Sequence, residues 1–267
     1  MSRGLRWLAA LSATTDATAG SVHVADVDWS GERARIVTVG PNPTARFPRA
    51  RGGQVGIEEG WAIASHVREA IEQDRRGTAR ALVLIVDVPG QAFGFHEEAL
   101  ALHLSLAAAA DAYASARLAG HPVVALIVGK AISGAFLAHG LQAGALMALD
   151  DGAIEVHVMS QASVARVTRR SEDEVAALAR VVPSTARDIH SFASLGAINR
   201  LLAVDSADSP TARDVQATKT RVIDTIRELR ARPRGPRDRL GSPEAQRTRV
   251  LSLRVRQLLE EQWDAPA

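Results

Sequence analysis

Apolar residues alternate, run together, or recur every three to four positions in separate stretches of the chain, and each spacing predicts an element. Two Val/Ile-bearing runs, residues 21–27 and 34–39, flank the turn-like Trp29-Ser30-Gly31-Glu32 and predict a β-hairpin. Pro41, Pro43 and Pro48 stand among Arg46, Arg49 and Arg51, so residues 40–53 are expected to be irregular, because proline removes a donor and restricts its neighbour. Ile63, Val67, Ala70 and Ile71 recur at helical spacing and predict a helix over 57–73 whose other face carries Glu59, Arg68, Glu69 and Glu72. Residues 81–88 form a continuous apolar run of the kind that is covered on both faces of a sheet, and Pro89-Gly90 ends it.

Residues 96–119 are apolar nearly all round, with alanines at 107–110 and Gly120 where a helix-ending glycine would stand, which predicts one long buried helix. Residues 122–128 read as a second buried strand, 129–134 as a glycine-bearing turn and 135–142 as the helix that it opens. Shorter strands follow at 145–149 and 154–159. Alternating strands and helices imply an α/β fold with a largely parallel sheet and right-handed crossovers. Beyond residue 209 the pattern turns helical, is interrupted by an Arg/Pro/Gly linker at 230–243, and ends in an amphipathic helix with Leu251, Val255, Leu258 and Leu259 on one face. The expected organisation is an N-terminal arm over 1–20 that holds a short helix, a core over 21–208, and a helical extension over 209–267.

Composition narrows the classes. A chain of 267 residues fits one large core with added ends. Lys plus Arg total 32 against 30 for Asp plus Glu, so no global field favours a nucleic-acid or membrane partner, and neither is expected. The absence of cysteine removes disulfides, thiolate nucleophiles and Cys-ligated metal, and no metal site is expected. The apolar stretch at Trp7–Leu11 is too short for a signal sequence, and no apolar run is long enough to span a bilayer, so a cytoplasmic protein is expected.

Candidate chemistry gathers at two strand ends. Gly129, Lys130, Ala131, Ile132, Ser133 and Gly134 lie where a buried strand turns sharply into a helix. Small residues there let a ligand approach the backbone, and N–H groups at a helix start bind an oxygen carrying negative charge. The plain alternative is a packing turn. Lys130 is one of two lysines, with Lys219, and the ordinary reading of a lone turn lysine is that it is solvated. Pro89, Gly90 and Gln91 stand at the exit of the preceding strand and can flank the same crevice, since ligands of open α/β sheets bind beyond the carboxyl ends of strands. Ser133 and His157, with Asp150, Asp151 or Asp205, form a conceivable triad, against which a satisfied core histidine is the commoner case. Arg166, Arg169 and Arg170 read as a solvated helix face. The arginines of the 230–243 linker lack interleaved aromatics and read as part of a connector.

The order of these motifs resembles a known family. Val86-Asp87-Val88-Pro89-Gly90-Gln91-Ala92-Phe93-Gly94, then Ala107 to Ala114, then Gly129-Lys130-Ala131-Ile132-Ser133-Gly134-Ala135-Phe136-Leu137-Ala138-His139-Gly140 are similar to the γ subunit of malonate decarboxylase. Arg46 to Arg51, Val156 to Met159, Arg166 to Ser171 and Ser191 to Gly196 fit as well. A more distant likeness is to the α half of acetyl-CoA carboxylase carboxyltransferase, with Ala131 and Ile132 in place of glycines. The resemblance implies a crotonase-like (ClpP/crotonase) spiral of ββα units with a helical C-terminal extension. It also implies a carboxy-lyase subunit that decarboxylates a malonyl thioester at an interface with a homologous β subunit. The thioester would be carried on the phosphopantetheine of an acyl-carrier subunit, served by an acyl-carrier transferase subunit, with no cofactor bound by this chain. Backbone N–H groups around Ala131, Ile132, Ser133 and Gly134 would form an oxyanion hole, and Pro89, Gly90, Gln91, Gly129 and Lys130 would line the substrate cleft. Three other readings stay open: a biotin-dependent carboxyltransferase subunit, a non-catalytic partner, and a serine peptidase of the Clp type, for which the turn is one residue short between Ser133 and Gly134.

Overall fold

A computed structural model describes residues 1–13 and 20–263. After the N-terminal helix α1 (Arg3–Ser12), strands β1 (Val22–Trp29) and β2 (Glu32–Val39) form the expected hairpin. Both strands run further than expected, because the two-residue turn at Ser30 and Gly31, with φ of 57° and 87°, lets pairing continue to Trp29 and Glu32. Helix α2 (Ile57–Gln73) and strand β3 (Ala81–Val88) lie where the periodicity placed them. The long helix expected over 96–119 is instead two helices, α3 (Phe95–Ala99) and α4 (Leu102–Leu118), separated where Ala101 adopts a left-handed φ of 61°. Nor is this segment buried throughout: Phe95, Leu100, Leu104 and Leu118 are exposed, and the nearly all-apolar pattern concealed that one face looks outward.

A further correction concerns the glycine-bearing turn. Strand β4 (Val123–Ile132) continues through Gly129 and Lys130, with a shift of register against β3 between Ile127 and Ala131, and helix α5 (Ser133–Ala138) begins right after Ile132. Pairing with both neighbours draws the strand out: Ala131 is opposite Val88 of β3, while Ala131 and Ile132 are opposite the short strand β6 (Val156–His157). Strand β5 (Ala145–Leu149) was expected; β6 is only two residues of the run expected over 154–159. Helices α6 (Gln161–Thr168), α7 (Glu172–Ala179) and α8 (Ile189–Ser194) and strand β7 (Arg200–Leu202) complete this part of the chain. Helices α9 (Ala212–Ala231), α10 (Pro243–Thr248) and α11 (Val250–Trp263) follow, with a 3-10 turn at Pro236–Gly241 inside the linker segment.

The sheet order is β1-β2-β3-β4-β5-β7, with β6 on the far end of β4; only the hairpin pair is antiparallel. β3 and β4 are covered on both faces, as their unbroken apolar runs require. The ends of the chain join this core. Trp7 of α1 is fully buried and its indole N–H donates to the Ala207 carbonyl at 2.9 Å, while Val222, Ile226 and Leu229 of α9 belong to the same apolar cluster. Arg3 donates to the Val128 carbonyl at 3.0 Å and pairs with Asp151 and Asp208, which fixes α1 beside β4. α11 lies outside this apolar cluster, with Leu251, Val255, Leu259 and Trp263 exposed. Among the described residues no helix is long and apolar enough to cross a membrane.

A buried polar pair sits under α5. His139 is fully buried, between the Tyr113 hydroxyl at 3.0 Å from Nδ1 and the Ile85 carbonyl at 3.1 Å from Nε2. A carbonyl can only accept, so Nε2 carries the proton and Nδ1 accepts from Tyr113. Burial pushes the imidazole down from 6.5 to about 4, against the weaker opposing pull of the Ile85 carbonyl. A depressed histidine pKa means that the unfolded chain binds the extra proton first, so stability is lost as pH falls from 6.5 towards 4. Denaturant titrations at several pH values are expected to show the parent losing about 3 kcal/mol more than His139→Asn across that window. Parallel pH profiles for the two would contradict it.

Candidate active site at the end of β4

The carboxyl ends of β3 and β4 lie side by side, and two short segments leave them towards the same crevice. At the end of β3, the Asp87 carboxylate accepts the Gly4 N–H at 2.9 Å and the Lys130 N–H at 3.2 Å, tying α1 and β4 to one side chain. Gly129 leaves room for it: a Cβ there would lie 2.2 Å from Asp87 Oδ1. Gly129 thus has a packing reason of its own, and the exposed Lys130 side chain points away from the core.

Pro89-Gly90 then turns the chain, with Gly90 at a φ of 131°. Val55 clasps the segment on both sides, donating to the Gly90 carbonyl at 3.0 Å and accepting from the Ala92 N–H at 2.8 Å. The backbone of Gln91 is therefore held as if in a strand, and its carboxamide reaches across to the start of α5. Gln91 Oε1 accepts the Gly134 N–H at 2.7 Å and the Ser133 hydroxyl at 3.0 Å. Since α5 starts with no loop before it, Ser133 takes a left-handed φ of 58°, a strained value for a residue with a side chain.

The four residues of the expected donor turn divide into two pairs. The Ala131 N–H donates to the Glu155 carbonyl at 2.8 Å. Successive strand N–H groups point to opposite edges, so that of Ile132 faces β3, where Ala131 pairs with Val88. Ser133 and Gly134 lie past the sheet, at the first turn of α5, where backbone N–H groups have no helical partner of their own. Their geometry suits an oxygen that carries negative charge, and the Gln91 carbonyl oxygen already occupies such a position.

Next to this turn is a cavity of about 390 Å³, lined mainly by apolar side chains that include Phe136, Leu137, Met159 and Phe192, with Ser133 and His157 in its wall. His157 Nε2 lies 2.8 Å from Arg187 and 3.3 Å from Glu155, and burial, then the Arg187 cation, pushes its pKa down. Neither Glu155 nor Arg187 carried a signal in the sequence, because 32 residues separate them and only the fold joins them. The conceivable triad is not assembled. The Ser133 hydroxyl is committed to Gln91, Asp151 to Arg3, Asp150 to His190 and Asp205 to Arg213. Arg166, Arg169 and Arg170 are exposed, but only Arg166 lies on a helix: α6 ends at Thr168, and Arg169 caps it with a left-handed φ of 55°.

Gly129→Ala is expected to lower stability by about 1–3 kcal/mol, as overpacking against a held side chain does. Gly52→Ala, whose new carbon meets nothing within 4 Å, is expected to change it by less than about 0.5 kcal/mol. Thermal melts of the two variants check this, and equal melting temperatures would contradict it.

Comparison with known proteins agrees with this architecture. The profile of the malonate decarboxylase gamma subunit family, MdcE, matches residues 50–263. A malonyl-S-ACP:biotin-protein carboxyltransferase of Malonomonas rubra is 38% identical over 200 residues, 73% of this chain, and the match spans 65% of that relative. A Pseudomonas malonate decarboxylase hetero-tetramer in complex with coenzyme A contains a chain 48% identical, with TM-score 0.93, covering 98% of this chain and 100% of that one. A chain of the Pseudomonas MdcD-MdcE hetero-dimer is 47% identical, with TM-score 0.86 and the same coverage. The fold is the crotonase-like one shared with carboxyltransferases. By sequence over most of its length and by structure over nearly all of it, the chain belongs to the malonate decarboxylase gamma subunit family.

Proposed function

We propose that this chain is one subunit of a biotin-independent malonate decarboxylase, working in the cytoplasm with a homologous β subunit. Malonyl-S-acyl-carrier protein is the substrate, held through the phosphopantetheine arm of a carrier subunit that an acyl-carrier transferase subunit loads; carbon dioxide and the acetyl thioester leave. The relatives' own assemblies, an MdcD-MdcE hetero-dimer and a hetero-tetramer with coenzyme A, support this reading. Phe93, Phe95, Leu100 and Leu104 expose apolar surface on the segments that follow Gln91, where a β subunit can close the crevice.

One observation carries the chemistry: a carbonyl-type oxygen already sits on the Gly134 N–H at the start of α5. When the C–C bond to the carboxylate breaks, its electron pair moves into the thioester and leaves negative charge on the carbonyl oxygen. Donors aimed at that oxygen lower the barrier, and one such donor is worth about 3 kcal/mol. In this reading the Gly134 and Ser133 N–H groups hold the enolate oxygen after the Gln91 carboxamide swings aside. Ala131 and Ile132 shape the strand end, and Pro89, Gly90, Gln91, Gly129 and Lys130 border the entrance. The apolar cavity beside Ser133 receives the acyl end, where little water opposes loss of carboxylate. A proton then reaches the carbanion carbon to complete the acetyl group.

The name of the Malonomonas relative favours a second reading, transfer of the carboxyl group to a biotin protein. Biotin dependence separates the two. Co-expressed with its partner subunit, the parent chain is expected to release carbon dioxide from malonyl thioester without biotin. Gly134→Val places its Cβ 2.4 Å from Gln91 Oε1, and is expected to assemble but lose about 100-fold or more in rate. An assembled variant as fast as the parent would refute the donor assignment, and a parent active only with a biotin acceptor would favour carboxyl transfer.

A further inference from the structure

The Arg/Pro/Gly segment folds back as the wall of a cavity. Its arginines Arg232, Arg234, Arg237 and Arg239, with Arg256 of α11, border a space of about 750 Å³. The segment passes so close to the start of β5 that a Cβ on Gly144 would lie 2.7 Å from the Arg234 carbonyl. Gly144 also donates to the carbonyl of Val123 at the beginning of β4, so the cavity lies at the amino ends of these strands. The Ser133 turn stands at the other end of β4, a strand length of about 30 Å away.

Five arginines stand against three carboxylates, Asp238, Glu244 and Glu260, around this cavity, and Glu244 pairs with Arg247. Arg237 pairs with Glu260, and Asp238 is turned back onto the Gly235 N–H at 2.6 Å. Arg232, Arg234, Arg239 and Arg256 make no salt bridge among the described residues. Arg239 reaches furthest in. Its two terminal nitrogens donate to the carbonyls of Leu141, at 3.0 Å, and Ala143, and its Nε is buried without a partner. From α4, Arg117 approaches with Nη1 against the Gly235 backbone, where a Cβ would meet it at 3.0 Å, and its Nε is also buried and unpartnered. Burial, then the charge of Arg117, pushes Arg239 down to about 10, and burial pushes Arg117 down against the opposing charge of Asp238.

Arg232 and Arg256 are exposed and Arg234 and Arg239 half-buried, and arginines gathered on one wall in excess of the carboxylates there attract an anion. Planar guanidinium forks match phosphoryl oxygens two at a time, and Arg232, Arg234 and Arg256, whose side chains make no salt bridge or hydrogen bond among the described residues, offer more donors than one carboxylate can use. We propose that this cavity is a second ligand site of the chain, which binds a small anion carrying phosphoryl groups. It is independent of the decarboxylation chemistry, so its test is a binding measurement.

Calorimetric titration of the full chain, alone and with its partner subunit, uses pyrophosphate, ADP and an acetate control at a constant ionic strength of about 0.15 M. Pyrophosphate or ADP is expected to bind one site with a Kd below about 1 mM, with no acetate binding. Tighter ADP assigns an esterified ligand and tighter pyrophosphate a free one. Arg239→Gln and, separately, Arg234→Gln are expected to weaken binding about tenfold or more. The half-buried Arg234 side chain makes no hydrogen bond among the described residues, so that variant keeps the test informative if Arg239→Gln does not fold. No saturable binding by the parent, acetate binding as tightly, or a folded Arg234→Gln variant that binds like the parent would overturn the proposal.

Discussion

The structure turns on one abrupt change of direction. β4 runs in pairing to Ile132, and α5 begins at Ser133, with no residue between them to make a loop. A chain can do this only if the junction residue leaves the ordinary right-handed region. Ser133, at a φ of 58°, therefore carries strain of about 1–3 kcal/mol that its surroundings must hold in place. Strand pairing on both edges of β4 does so from one side. From the other, the Gln91 carboxamide binds both the Ser133 hydroxyl and the Gly134 N–H.

The small residues around the junction then have separate reasons. Gly129 admits the Asp87 carboxylate, through which α1 is tied to the end of β4. Gly134 admits the Gln91 oxygen, since a Cβ there would lie only 2.4 Å from it. Gly90, at a φ of 131°, lets the neighbouring segment turn back towards Val55, which holds Gln91 in reach. Strain and packing coincide because the same sharp turn that costs energy also sets the Gly134 N–H against the Gln91 carboxamide.

Much of this fold was legible in the sequence, and the misreadings have a common cause. α2, β3 and β5 emerge where period and composition place them, because each is packed in the way that its pattern implies. The 96–119 run is so uniformly apolar that it hides both the break at Ala101 and the outward face of Leu104. At residues 129–132, glycine and lysine read as a turn because local propensity ignores the neighbours β3 and β6, and pairing with those strands overrides it. The candidate site was legible as two strand ends. The bond from Gln91 to Gly134 and the joining of Glu155, His157 and Arg187 were not, since they depend on contacts between segments 30 or more residues apart. The linker arginines read as a connector because nothing in their spacing shows that they fold over Gly144.

The account rests on the exchange of one oxygen for another at the start of α5. The most direct measurement is a crystal structure of the assembled pair with a non-reactive malonyl thioester analogue. The account predicts that the Gln91 carboxamide has left the Gly134 N–H and that the thioester oxygen lies about 3 Å from it. A bound analogue whose thioester oxygen lies elsewhere, with Gln91 still seated on Gly134, would contradict it.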